Sequence, residues 1–196
     1  MRLKDKVIIV TGSCTGIGKA IAKRCVAEGA RVVIHGLEQK WGEAVVDELG
    51  KDKAVLLIED ISVDGAPQRL VDLAIKTYGK LDAVVNNAAI VASSNIQTTD
   101  LALLRKVLEI NTIAPFALIK AALPHLHKQK GSVLNIGSVN AFSGEPNLLA
   151  YSMSKGFTLY GQRTGAMIGV SSSKEIIEEF AAINQYTSRA TWSNIN

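Results

Sequence analysis

The sequence predicts an α/β domain, a three-layer, doubly wound parallel sheet. Three observations carry that expectation. Short β-branched runs recur along the chain, each is followed by a stretch of helical period, and the runs are almost wholly apolar instead of alternating. An unbroken apolar strand suits a parallel sheet, because helices cover both of its faces. Strand–helix alternation also demands right-handed crossovers, which place the C-terminal ends of the strands on one edge, where ligands bind in this class.

The expected strands are Val7–Thr11, Arg31–His35, Ala54–Asp60, Leu81–Asn86 and Ser132–Gly137. Between them, Ile17, Ile21 and Cys25 recur at i, i+4 and i+8. Trp41, Ala44, Val45 and Leu49 are expected to share one helical face, as are Leu70, Leu73, Ala74 and Tyr78. Leu101, Leu104, Leu108 and Ile110 open a long helical segment from Thr99 to His127, with a bend expected at Pro115. Its Leu, Ala and Ile residues lie on more than one face, which fits an internal core helix or a subunit contact. Beyond residue 160 the character changes. Gly161, Gly165 and Gly169 punctuate a Ser/Thr-rich stretch, only Lys174–Ile183 has a helical pattern, and Asn184–Asn196 is polar without a period.

Composition narrows the class. At 196 residues and 47% hydrophobic, the chain is long and apolar enough to bury a core, and disorder is excluded. Its 16 Gly and 4 Pro exclude collagen-like and low-complexity sequences. The net charge of +4 falls wholly after residue 100 and forms no block, and aromatic residues are only 5%. No nucleic-acid partner is therefore expected. Cys14 and Cys25 make no disulfide framework. The first apolar run, Val7–Val10, is too short for a signal-peptide core or a membrane span. These features predict a soluble, cytoplasmic protein with no membrane partner, and no metal is expected.

The chemistry-bearing residues fall at strand ends. Thr11-Gly12-Ser13-Cys14-Thr15-Gly16-Ile17-Gly18 joins the first strand to a helix. Glycines there permit close backbone approach, and the helix N-terminus with its amides can face a pyrophosphate. A tight turn with no ligand is the plainer alternative. Asp60 closes the third strand, where its carboxylate can accept from an adenine amino group or cap the next turn. Asn86-Asn87-Ala88-Ala89 closes the fourth; the small residues let a cofactor lie close and the Asn side chains can tie strand ends together, although an ordinary Asn-rich turn reads the same. Tyr151 and Lys155, at i and i+4, share a helical face. A nearby cation favours phenolate, which suits Tyr151 to exchange a proton with an alcohol or carbonyl oxygen; taken alone, a surface pair is the simpler account. Ser138 stands just past the fifth strand on the same edge, and Asn111 lies within the long helical segment.

In this order and on this edge, Thr11-Gly12-x-x-x-Gly16-x-Gly18, Asp60, Asn86-Asn87-Ala88, Asn111, Ser138 and Tyr151-x-x-x-Lys155 resemble the short-chain dehydrogenase/reductase family over about residues 1–157. The resemblance implies a Rossmann-like fold, NAD or NADP as cofactor, and an alcohol or ketone as small-molecule substrate. It implies that Tyr151 is the acid/base, that Lys155 lowers its pKa and holds the nicotinamide ribose, that Ser138 stabilises the reacting oxygen and that Asn111 supports the proton relay. Gly12, Ser13, Thr15, Gly16, Ile17, Gly18, Asp60, Ile61, Asn87 and Ala88, with Tyr151 and Lys155, are the implied cofactor-binding residues. Subunit pairing through the long helix as a homodimer or homotetramer is implied as well.

Departures from the family pattern matter. The acid usual at the end of the second strand is replaced by Gly36, with Leu37 and Glu38 following; Glu38 tilts the expectation towards NAD. Ala89 replaces a usual glycine, and Cys14 lies within the phosphate loop. Lys155 is followed by 41 residues with no Pro among them, where the family continues through two further strands and a Pro-Gly loop. Residues 1–160 are thus expected to form the dinucleotide-binding and catalytic domain, and 161–196 an atypical tail of it, with the C-terminal strands missing. Residues absent from the sequence, a natural truncation and a shifted reading frame remain open as explanations. An exposed sheet edge would follow, and the alternative to an active oxidoreductase is a catalytically defective dinucleotide-binding or interaction protein.

Overall fold

A computed structural model of the chain describes residues 1–141, 145 and 147–157. The tail 161–196, the expected helix Lys174–Ile183 and the expectation about missing C-terminal strands lie outside these residues. Five parallel strands, β1 (Val7–Val10), β2 (Arg31–Gly36), β3 (Ala54–Ile58), β4 (Ala83–Asn86) and β5 (Ser132–Asn135), form a sheet in the order β3-β2-β1-β4-β5. All five stand where the apolar runs lie. The order reverses beside β1: the chain steps outward to β3, then crosses back to β4 on the other side. That reversal opens a crevice at the C-terminal ends of β1 and β4.

The apolar runs are explained by helices on both faces. Side chains alternate along each strand, so Val7, Ile9 and Val33 point into one core, while Ile8, Val10, Val32 and Ile34 point into the other. The first core is closed by α3 (Ala66–Tyr78) and α5 (Ala114–Gln129), through Leu70, Val71, Ala74, Leu118, Ala122 and Leu126. The second is closed by α1 (Gly16–Ala27) and α2 (Gln39–Leu49), through Ala22, Cys25, Val45 and Val46. The face expected for α3 is the one observed. Those of α1 and α2 differ in part. Ile17 is exposed on the first turn of α1, and Trp41 and Ala44 are exposed on α2. Gly42 is buried instead: a Cβ there would come within 2.6 Å of Leu56 Cδ1, so α2 packs closely onto β3 and turns Trp41 away.

The long helical segment is continuous from Leu101 to Gln129, but its hydrogen-bond pattern changes midway. The side chain of Asp100 caps α4 (Leu101–Leu108) by accepting from the Leu103 N–H at 2.7 Å. A π turn, Glu109–Ile113, follows, and the Ala114 N–H donates five residues back to the Glu109 carbonyl. Pro115 has no N–H to give the Asn111 carbonyl, and its ring would press on that carbonyl in a regular helix. The expected bend at Pro115 is thus realised as a widened turn ahead of it, centred on Asn111. The segment is long and apolar enough to cross a membrane by length and composition, yet its Ile110, Ala114, Leu118, Ala122 and Leu126 belong to the core under the sheet.

Candidate active site

The first strand ends in a loop with no spare room. A Cβ on Gly12 would lie 3.0 Å from Ala88 Cα and 3.1 Å from Asn87 Nδ2, and φ there is +63°. A Cβ on Gly18 would run into the Gly12 carbonyl and lie 2.5 Å from Asn87 Nδ2. Both positions need glycine for the start of α1 to sit against the end of β4. Thr11 and Asn87 make the join. Thr11 Oγ1 accepts from the N–H groups of Asn87 and Ala88, both at 3.0 Å, and Asn87 Nδ2 donates to the carbonyls of Thr11 (2.9 Å) and Gly12 (3.1 Å). Asn86 Nδ2 donates to Asn135 Oδ1 at 2.8 Å and ties β4 to β5. The Asn residues do bind strand ends together.

A cavity of about 470 Å3 opens over this junction, at the C-terminal ends of β1 to β4. Gly12, Thr15, Gly16 and Ile17 line it from the loop. Asp60 and Ile61 line it beyond β3, and Asn87 and Ala88 beyond β4. Asp60 caps the turn that follows β3. Its Oδ1 accepts from the Ser62 hydroxyl (2.7 Å) and N–H (2.9 Å), which hold the carboxyl below its usual range, while the residue remains on the cavity wall. Ser13 differs from its neighbours. It is fully buried, and its hydroxyl donates to the Val10 carbonyl (2.6 Å) and accepts from the His35 N–H (3.0 Å), so it braces the loop against β2.

His35 also belongs to this wall, and sequence reasoning passed it over. It is 2% exposed, and the Gly12 N–H meets its Nδ1 at 3.4 Å. Burial pushes the imidazole pKa down, against the carbonyl of Glu59 and the charges of Glu59 and Asp60. Nε2 has no well-aligned partner among the described residues. The available signal was a polar residue in an otherwise apolar strand, a costly placement unless it is bonded. Glu38 and Trp41 complete the outer wall of the cavity.

The second group of candidate residues stands beyond Ile90. Asn111, 4% exposed, accepts from the Ile90 N–H through Oδ1 (2.9 Å). Its Nδ2 donates to the Ile90 carbonyl and to Ser154 Oγ, both at 3.0 Å. Ser154 lies on α6 (Leu149–Phe157), and its hydroxyl donates to the Tyr151 carbonyl at 2.7 Å. Lys155 Nζ donates to the Ile136 carbonyl at 3.0 Å and lies 5.7 Å from the centre of the Tyr151 ring. Burial pushes the Lys155 ammonium pKa down. Ser138 follows Ile136 on a loop that packs against α6, and its Oγ is 3.2 Å from both the N–H and Oδ1 of Asn140. Tyr151, Lys155 and Ser138 do not line the cavity; Ile90, which does, is linked through Asn111 and Ser154 to the Tyr151 carbonyl. Among the described residues no cluster of His, Cys, Asp or Glu could hold a metal ion.

Residues 6–167 match the model of a protein family described as short chain dehydrogenase. The chain is 37% identical over 156 residues to an L-fucose dehydrogenase of Rattus norvegicus, covering 79% of this chain and 57% of that protein. It is 35% identical over 170 residues to an NADP-dependent (R)-specific alcohol dehydrogenase of Lentilactobacillus kefiri, covering 85% and 67%. It is 38% identical over 157 residues to a tropinone reductase-like 3 of Erythroxylum coca, covering 79% and 60%. Among solved structures, a short-chain dehydrogenase/reductase of unknown function from Caenorhabditis elegans, crystallised with cofactor, superposes with a TM-score of 0.76 at 26% identity, over 83% of this chain and 64% of that one. The chain thus spans about three-fifths of the length of several of its relatives.

Proposed function

The chain belongs to the short-chain dehydrogenase family, and on that premise we propose that it is an oxidoreductase interconverting an alcohol with a ketone or aldehyde, with NAD or NADP as cofactor. The observation that carries the reading is the bonded series from the cavity to the tyrosine helix: Ile90 to Asn111, Asn111 to Ser154, Ser154 to Tyr151. The loop fits a dinucleotide at Gly16, which lines the cavity and where no protein atom lies within 4 Å of the place a Cβ would take. Gly12, Thr15, Gly16 and Ile17 would hold the diphosphate, with Asp60, Ile61, Asn87 and Ala88 around the rest; Ser13 and Gly18 shape the loop. When bound, the cofactor supplies hydride chemistry.

The protein's own residues handle the proton. Tyr151 is the acid/base, giving its phenolic proton to a carbonyl oxygen or taking one from an alcohol. Lys155 stands beside the Tyr151 ring, Nζ 5.7 Å from its centre, and belongs to the same proton-handling group. Its bond to the Ile136 carbonyl orients the ammonium. Ser138 holds the substrate oxygen through its hydroxyl, and Asn111 steadies the junction between α6 and the chain leaving β4. Glu38 on the cavity wall favours NAD over a 2′-phosphorylated cofactor. Free Cys14 and Cys25 suit a reducing, cytoplasmic setting.

A second reading has its own observation in favour. The cavity covers the loop side of the cleft, and Tyr151 and Lys155 do not line it. A dinucleotide-binding protein without turnover fits that arrangement. Fluorescence titration with NADH and NADPH, followed by an assay against a panel of ketones and secondary alcohols, separates the two. Binding with turnover supports the oxidoreductase; binding without turnover supports the second reading, and no binding removes both.

A further inference from the structure

β2 ends at Gly36, on the cavity wall. A Cβ built on Gly36 would sit 2.5 Å from Cys14 Sγ and 3.1 Å from Cys14 Cβ. Rotating the thiol relieves the first contact and leaves the second, because Cβ moves only with the backbone. That backbone is braced. The Ser13 N–H donates to the His35 carbonyl at 2.7 Å, the His35 N–H donates to Ser13 Oγ at 3.0 Å, and the Gly12 N–H meets His35 Nδ1 at 3.4 Å. Cys14 itself is 6% exposed. The thiol therefore occupies the volume in which any side chain at position 36 would begin.

We propose that Cys14 and Gly36 form a coupled steric pair that removes side-chain recognition from the end of β2 and transfers the reading of the adenosine ribose to Glu38. The inference rests on the dinucleotide reading above. Glu38 is two residues further on, at the N-cap of α2, where its side chain makes no capping hydrogen bond. It is exposed and lines the same cavity as Gly36 and Cys14. A carboxylate there accepts hydrogen bonds from ribose hydroxyls and repels a 2′-phosphate. Cys14 is a positioning residue in this arrangement: it acts by filling space, and Glu38 makes the contact.

The test uses the full chain and two readouts, NADH and NADPH binding by fluorescence and thermal unfolding without cofactor. Gly36→Asp is expected to weaken NADH binding by at least about tenfold and to lower Tm by roughly 3 °C or more, because the added atoms overpack a braced site. The double variant Cys14→Gly with Gly36→Asp is expected to recover both. Glu38→Gln is expected to reduce the preference for NADH over NADPH by about tenfold in the wild-type background, the loss of one charge-assisted contact. In the double variant, where the carboxylate introduced at position 36 reads the ribose instead, Glu38→Gln is expected to leave that preference unchanged. A Gly36→Asp variant with wild-type NADH affinity and Tm overturns the steric pair, as does a double variant no better than the single one. An unchanged NADH preference in Glu38→Gln overturns the transfer to Glu38. A wild-type chain that binds neither dinucleotide overturns the ribose assignment together with the proposed function, whereas wild-type binding with no coupling between positions 14 and 36 overturns this inference alone.

Discussion

Asn111 grips both backbone groups of Ile90, accepting from its N–H at 2.9 Å and donating to its carbonyl at 3.0 Å. A side-chain amide thereby satisfies a backbone unit that leaves β4 without a strand neighbour. The same Nδ2 reaches Ser154 on α6. One side chain therefore joins three segments distant in sequence: the chain after β4, the π turn and the tyrosine helix. The π turn that carries it is placed by Pro115, four residues on, which has no N–H to close a regular turn at the Asn111 carbonyl.

Removing that amide should be costly. Asn111→Ala leaves the half-buried Ile90 N–H and carbonyl without their partner, and a loss of about 2 kcal/mol is expected, the low end of one to three for each unsatisfied group. Urea unfolding followed by circular dichroism would read it as a lower midpoint with an unchanged slope. Asn111→Asp keeps the acceptor for the Ile90 N–H but loses the donor and turns a carboxylate oxygen towards the Ile90 carbonyl, so it too should unfold earlier. An Asn111→Ala protein with the wild-type midpoint would show that the amide holds nothing together.

Much of this was legible beforehand. β1 and β2 stood out because a strand with helices on both faces has no polar side, and β1 is buried at every residue, whereas β5 shares the apolar run but leaves Ser132 and Leu134 exposed. The strand-end motifs were legible because polar residues at the end of an apolar strand need a purpose, and Thr11, Asn86 and Asn87 have one in their bonds. What escaped reading depends on contacts between distant residues. The buried arc of α2 is rotated by Gly42 seating on Leu56, and no helical period encodes its opposite strand. The π turn required weighing Pro115 against a carbonyl four residues earlier. His35 looked ordinary, and the replacement at Gly36 had no visible cause, until the loop folded over them, bringing Gly12 and Cys14 into contact.

The proton-handling role assigned to Tyr151 gives a kinetic expectation. Tyr151→Phe should lower kcat by about 10²- to 10⁴-fold, the range of a lost general acid. Lys155→Met should lower kcat and weaken NADH binding together, because the ammonium is assigned to both phenolate and ribose. Burial also lowers the Lys155 pKa, so the alkaline fall in kcat/KM should begin below the ordinary lysine value of about 10.4. Stopped-flow single turnovers across pH would measure all three. Wild-type turnover in Tyr151→Phe would sink the assignment.

His35 gives the protein a pH dependence on the acid side. Its pKa is depressed by burial, so between the ordinary value of about 6.5 and the lower folded value the unfolded chain binds a proton that the folded chain does not. Stability must then rise with pH across that window and fall as pH drops through it. Protonation would also turn Nδ1 from an acceptor into a donor facing the Gly12 N–H. Glu59 and Asp60 face the ring and soften the shift without reversing it, and both carboxyls lie below their ordinary range, outside the window. The urea midpoint should be lower at pH 5 than at pH 7, and His35→Asn, whose Oδ1 cannot charge, should flatten the difference. An equal slope in both proteins would assign the acid sensitivity elsewhere.

The outer face of the long helix carries the last expectation. Ile113, Phe116 and Leu123 are 48%, 66% and 47% exposed, although the opposite side of the segment is packed into the core. Spacings of three and seven residues put these three on one surface of the helix, an arrangement suited to a second copy of the same face. A homodimer or homotetramer at micromolar concentration is expected in sedimentation velocity. Phe116→Glu would place a charge in the middle of that contact, and truncating or charging a central aromatic commonly costs an interface about 2 kcal/mol or more, roughly thirtyfold in dissociation constant. The variant should therefore sediment as a smaller species at the same concentration while keeping its far-ultraviolet circular dichroism. Wild-type protein that remains monomeric throughout the micromolar range would rule the contact out.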